Sequence, residues 1–151
     1  MSSALRLEEL SAATAAAANS LTLRAGQEQF VTPPTYAIAD SYTDPLAAWP
    51  RVVLDGDEVV GFILGNFSPD DPQEEFRSCV WRVTVAGDRQ GRGIGSFAVR
   101  ALADEARTRG FERLTAVWEP GEAGPDRFFR AVGFVVTRET QYGENFGVLA
   151  L

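Results

Sequence analysis

The chain has 151 residues, 45% hydrophobic and 11% aromatic, which is enough apolar material for the core of one ordinary domain and excludes disorder and collagen-like repeats. It has no histidine, one cysteine and 14 basic residues, all of them arginine, so a Ser-His-Asp triad, a His- or Cys-built metal site, a CxxC pair and a lysine Schiff base are excluded. A net charge of −7 argues against a broad nucleic-acid surface and suits either plain solubility or a cationic substrate.

In chain order, Ala4 to Leu7 reads as a short first strand and Leu10 to Asn19 as an alanine-rich helix. Phe30-Val31-Thr32-Pro33-Pro34 is extended, because each proline disfavours helix at the residue before it. Tyr36 to Trp49 predicts a second helix, bounded by Pro45 and Pro50. Two β-rich runs around Asp55-Gly56-Asp57 predict a hairpin. Ser68 to Glu75 is a polar loop, and Arg77 to Val85 (RSCVWRVTV) is a buried strand in which Cys79 is an inert core thiol. From Arg92 to Arg109 the apolar residues Ile94, Phe97, Ala98, Ala101, Leu102 and Ala106 recur at helical spacing, with Gly110 as the stop. Phe111 to Trp118 is a strand, Asp126 to Val132 a short helix, and Phe134 to Glu139 with Phe146 to Leu151 a closing hairpin.

No run approaches the ~20 apolar residues of a membrane span. The first ten residues lack the order of a signal peptide, and one thiol fits a reducing compartment. These features predict a soluble cytoplasmic protein, a single α/β domain over 1–151 with a central mixed sheet.

The segment between the buried strand and the long helix carries the chemistry. Alternating glycines in Gln90-Gly91-Arg92-Gly93-Ile94-Gly95-Ser96 let backbone N–H groups point into one concavity, and the helix N-terminus behind adds about half a positive charge. The place suits a phosphate or pyrophosphate. A dinucleotide fingerprint needs GxGxxG and a Walker loop needs lysine; what the chain has is [QR]xxGx[GA].

On that loop, on the strand and helix around it, and on Phe128-Phe129-Arg130-Ala131-Val132-Gly133-Phe134, the chain resembles the GCN5-related N-acetyltransferases from about Leu5 to Leu151. The segments Gln29 to Pro33, Ala39 with Tyr42, Trp81-Arg82 and Glu119-Pro120 look like the bacterial diamine and spermine/spermidine acetyltransferases. The resemblance implies a mostly antiparallel, twisted sheet of about six or seven strands flanked by about four helices. It also implies acetyl-CoA as co-substrate, a small amine such as a polyamine as acceptor, no nucleic-acid or membrane partner, and a homodimer. The strand would pair the cofactor's pantetheine arm through Val83, Thr84 and Val85. The diphosphate would rest on Gln90, Gly91, Arg92, Gly93, Ile94, Gly95 and Ser96, with Arg89 beside them.

Acetyl transfer to an alkylamine of pKa roughly 10 requires a proton acceptor. Without histidine or lysine this is a carboxylate, a tyrosine or a water they hold. Glu119, ending the strand that flanks the thioester, and Glu28, on the segment over the acceptor, are the carboxylate candidates; both also read as plain surface charges. Arg82, inside a strand, reads as the partner of a buried carboxylate. Two positions depart from the family pattern. Phe129 stands where many relatives have a proton-donating tyrosine, which leaves Tyr142, Tyr36 or unassisted departure of the thiolate. Pro34 stands where close relatives often have asparagine. An aminoglycoside, an amino acid or a protein amine as acceptor, and a silent CoA-binding protein, are the alternative readings.

Overall fold

The computed structural model describes residues 5–21, 39, 43–121 and 124–151. Seven strands form one sheet: β1 (Leu5–Glu9), β2 (Ala48–Asp55), β3 (Glu58–Phe67), β4 (Ser78–Val85), β5 (Arg113–Trp118), β6 (Val135–Glu139) and β7 (Asn145–Ala150). Their order is β1-β2-β3-β4-β5-β7-β6, and each pairing is antiparallel except that of β4 with β5. The helices among the described residues are α1 (Ala12–Asn19), α2 (Ile94–Thr108) and α3 (Asp126–Val132), three against the expected four. The expected helix from Tyr36 falls mostly outside the described residues. Its end is corrected: Ala48, Trp49 and Pro50 belong to β2, with Pro50 opposite Leu64. Pairing with β1 begins only at Arg51 opposite Glu9, so the missing N–H of Pro50 faces no β1 partner.

Successive residues of β2 and β3 go to opposite faces of the sheet. Val53 and Ile63 join the cluster under α2, made by Ile94, Ala98, Val99, Leu102 and Ala106 with Leu114 and Ala116 of β5. Val52, Leu54, Phe62 and Leu64 meet Ala18 of α1 on the other face. The β2–β3 hairpin closes through Gly56-Asp57, with Gly56 at φ +62, the place where a two-residue turn favours glycine. Helix α2 stops at Gly110, φ +89, where the N–H of Phe111 reaches the carbonyl of Ala106 and that of Gly110 the carbonyl of Arg107. This pair of hydrogen bonds satisfies the Ala106 and Arg107 carbonyls at the helix end and sends the chain straight into β5. Among the described residues no helix is long and apolar enough to cross a membrane.

Candidate active site

β4 pairs with β3 along its length but with β5 only at Cys79 opposite Thr115 and Val80 opposite Ala116. Beyond Val80 the two strands part. The expected residues Val83, Thr84 and Val85 lie on this stretch, whose β5-facing backbone is unbonded to β5. Its register against β3 shifts between Leu64 opposite Arg82 and Gly65 opposite Val80, so Trp81 is an extra, bulged residue. The bulge resets the alternation: Val80, Val83 and Val85 all pack on the α2 side, whereas Trp81 packs on the α1 side.

After β4 comes one 3-10 turn, Gly87–Arg89, and then the glycine loop. Gly91 and Gly93 have φ +80 and +81, and Gly93 is the N-cap of the 15-residue α2, which has no side-chain cap and no acidic residue in its first turn. The first N–H groups of the helix therefore have neither an intrahelical nor a side-chain acceptor. A Cβ at Gly91 or Gly93 would meet nothing within 4 Å, whereas one at Gly95 would lie 2.7 Å from the Phe128 ring, so the loop is open outward and packed inward. An open strand edge beside an uncapped helix start fits a cofactor with amides along an arm and a diphosphate at its end. The expected loop residues differ in what holds them. Gln90 Nε2 donates to the Val85 carbonyl at 3.2 Å. Arg89 is engaged by Asp55 and Glu58. Arg92 is exposed and has no ion-pair partner among the described residues.

Where β4 and β5 part there is a cleft of about 590 Å³. Cys79, Trp81 and Arg82 of β4, Val117 of β5, Glu75, Arg138 of β6, and Tyr142 and Glu144 of the β6–β7 turn line it. Arg138 donates to Glu75 and lies 4.1 Å from the centre of the Phe146 ring. That hydrogen bond holds the Glu75 carboxyl below the usual range. Arg82 donates to the Trp81 carbonyl at 2.7 Å and lies 6.0 Å from its ring centre. Thr140 Oγ1 stands 3.2 Å from Glu144 Oε1. Trp81 Nε1 is buried and has no hydrogen-bond partner among the described residues.

Of the expected proton-transfer groups, Tyr142 stands at the cleft, 80% exposed. Glu119 is exposed just past β5 and does not line the cleft. Glu28 and Tyr36, like Pro34 and Tyr42, lie outside the described residues. Phe129 is buried, its ring stacked on Trp118 with centres 4.6 Å apart. Burial pushes the Cys79 thiol up to about 12, so it stays protonated at neutral pH and is no nucleophile. Cys79→Ala is expected to leave steady-state turnover within about threefold, less than 0.7 kcal/mol in barrier. Loss of product by mass spectrometry in that folded variant would reopen a thioester route.

The sequence profile of the acetyltransferase (GNAT) family matches residues 16–134. The chain is 32% identical over 120 residues to the L-methionine sulfoximine/L-methionine sulfone acetyltransferase of Pseudomonas paraeruginosa, covering 77% of this chain and 70% of that protein. It is 41% identical over 85 residues to the L-2,4-diaminobutyric acid acetyltransferase of Streptomyces coelicolor, covering 55% of this chain and 48% of that one. In fold it is similar to the GNAT domain of S. lividans PAT, with TM-score 0.77, 19% identity and 97% and 90% of the two chains covered. It is similar also to yncA from Salmonella typhimurium, solved with its cofactor acetyl-CoA, with TM-score 0.69, 22% identity and 97% and 94% covered.

Proposed function

The chain belongs to the acetyltransferase (GNAT) family and is an acetyltransferase, and we propose that it transfers the acetyl group of acetyl-CoA to the amine of a small amino acid in the cytoplasm. The observation that carries the acceptor class is the presence of two guanidinium groups, Arg82 and Arg138, and two carboxylates, Glu75 and Glu144, around one cleft, Arg138 and Glu75 being hydrogen-bonded to each other. A polyamine offers such a cleft only positive charge. A zwitterion offers a carboxylate to the arginines and an amine to the acids. The relatives named for methionine sulfoximine and diaminobutyrate support the same reading over the polyamine suggested by the sequence.

The N–H groups from Gly91 to Ser96 would hold the diphosphate, with the exposed Arg92 nearby, and the open edge of β4 at Val83 to Val85 would pair the pantetheine amides. When bound, acetyl-CoA supplies an activated acetyl thioester. The chain's own residues do the rest. Arg138, already held by Glu75 and by the Phe146 ring, presents its remaining N–H groups to the acceptor's carboxylate. Glu144, the cleft carboxylate with no ion pair among the described residues, takes the amine proton. The Trp81 indole N–H, buried without an acceptor among the described residues, offers a hydrogen bond to an oxygen where the strands part. The Tyr142 phenol stands at the mouth of the cleft as the proton donor.

The test is incubation with acetyl-CoA and a panel of methionine sulfoximine, 2,4-diaminobutyrate, common amino acids and spermidine, with free thiol and acetylated product both measured. Turnover of amino acids above spermidine is expected; the reverse order would restore the polyamine reading. Arg138→Ala is expected to raise KM for the preferred amino acid about tenfold, the effect of one charge-assisted hydrogen bond. KM for a carboxylate-free amine should not move.

A further inference from the structure

Arg89 precedes the glycine loop by one residue and has the charge of a phosphate ligand, but its surroundings point elsewhere. Its Nη1 lies 3.4 Å from Asp55 Oδ2, its Nη2 bonds Glu58 Oε2, and its Nε lies 3.9 Å from Asp88 Oδ2. Asp55 and Glu58 face each other across the β2–β3 turn, so one guanidinium spans both strands of the hairpin. The Arg89 and Asp55 side chains are 23% and 22% exposed, which screens the contact less than an open surface pair. Three carboxylates around one cation also cancel the field that Arg89 would otherwise add at the loop.

The backbone has the same pattern. The Ala86 N–H donates to the Val60 carbonyl and the Arg89 N–H to the Ala86 carbonyl, both at 2.9 Å, and Gln90 turns inward to Val85. All these ties lie before Gly91. Residues 91–93 are exposed and two of the three are glycines in the left-handed region, so the direction of their amides depends on what fixes residues 86–90 on one side and on the buried Ile94 and Gly95 on the other.

We propose that Arg89 is a positioning residue that, by bridging Asp55 and Glu58 of the β2–β3 hairpin, holds the 90–96 loop in the shape that receives the diphosphate, and does not itself touch a phosphate. The inference rests on the acetyl-CoA reading above. It makes the hairpin tip, on the far side of β3 from the cleft strands, a determinant of cofactor affinity.

The two roles of Arg89 give opposite signs when its partners are neutralised. As a tether, Arg89 needs them. As a phosphate ligand, Arg89 is released by their loss and binds better. The experiment titrates coenzyme A, which does not turn over, into the full chain by calorimetry. The variants are Arg89→Ala, Arg89→Lys, the pair Asp55→Asn with Glu58→Gln, and the triple. Arg89→Ala and the carboxylate pair are each expected to weaken binding about fivefold. The triple variant should be no weaker than either, because all remove one interaction. Arg89→Lys, which keeps the charge but loses the two-armed geometry, should recover part of the affinity. KM for acetyl-CoA should rise in parallel with kcat at saturation unchanged, and thermal midpoints check that every variant is folded.

Unchanged or tighter binding by the carboxylate pair, alongside weaker binding by Arg89→Ala, would overturn the proposal in favour of direct phosphate contact. Unchanged binding in every variant would overturn it outright. Failure of the unaltered protein to bind coenzyme A would bring down the acetyl-CoA reading, and this inference with it. That outcome is distinct because it appears before any substitution is made.

Discussion

Trp118→Ala is expected to destabilise the protein by about 3–5 kcal/mol, read as a lower denaturant midpoint and a lower Tm. The indole is buried at the end of β5. It stacks on Phe129 at 4.6 Å and meets Phe134 edge-on at 6.4 Å, and those two rings meet edge-on at 5.3 Å. The fit extends to the backbone of β7. A Cβ on Gly147 would lie 2.4 Å from the indole, so alanine there must displace a ring that other rings hold in place. Gly147→Ala should therefore cost about 1–3 kcal/mol alone and much less once Trp118 is alanine; a double-mutant cycle reads that coupling. Additive losses would mean that the ring and the strand do not press on each other.

The same indole carries an electrostatic effect with a definite sign. Trp118 Nε1 donates to Asp126 Oδ1 at 2.9 Å. That bond, ahead of those from Arg130 and Asn145, holds the Asp126 carboxyl below its usual range. A group whose folded pKa is depressed contributes stability above its unfolded pKa, and loses it as pH falls through the folded one. The gap between the unaltered protein and Trp118→Ala should therefore narrow as pH falls below the ordinary aspartate value of about 3.9. A gap that widens in acid would assign the effect to another group.

Local chemistry was readable where it was contiguous. The end of α2 at Gly110 and the turn at Gly56-Asp57 follow from glycines that sit next to what they control. So does the glycine loop, because its neighbours in sequence, β4 and α2, are also its neighbours in space. The insertion of β7 between β5 and β6 has no local signal. Ala48 and Trp49 read as the end of a helix because propensity stops at Pro50, whereas the pairing with β3 that makes all three a strand is non-local. The cleft has the least local signal. Glu75 and Arg138 are 63 residues apart and meet only when β6 returns past the turn before β4, so neither was singled out. Glu119 is a candidate by its place at the end of β5, but a strand end does not by itself say which way a side chain faces. Phe129 is the instructive departure: read as a missing proton donor, it is the ring on which Trp118 stacks.

Gly93→Val is expected to raise the Kd for coenzyme A and the KM for acetyl-CoA about 100-fold, with kcat at saturation little changed. Gly93 is the N-cap of α2 at φ +81 and ψ 6. An L-residue there costs about 1–2 kcal/mol, and a β-branched one more, because Cβ crowds the backbone. Nothing around Gly93 would clash with a Cβ, so the protein can relieve this strain by rotating the loop. Rotation re-aims the N–H groups of Ile94, Gly95 and Ser96, which have no cap to keep them in line. Each charge-assisted bond to an anion is worth about 1.5–3 kcal/mol, so one or two misdirected donors account for the factor. The order of substitutions separates backbone strain from bulk: Asn, which tolerates the left-handed region, should do least harm, Ala more and Val most. If Asn were worse than Ala, the limit would be side-chain volume in the concavity. If Val bound coenzyme A as tightly as Gly, the helix start would not be where the diphosphate sits.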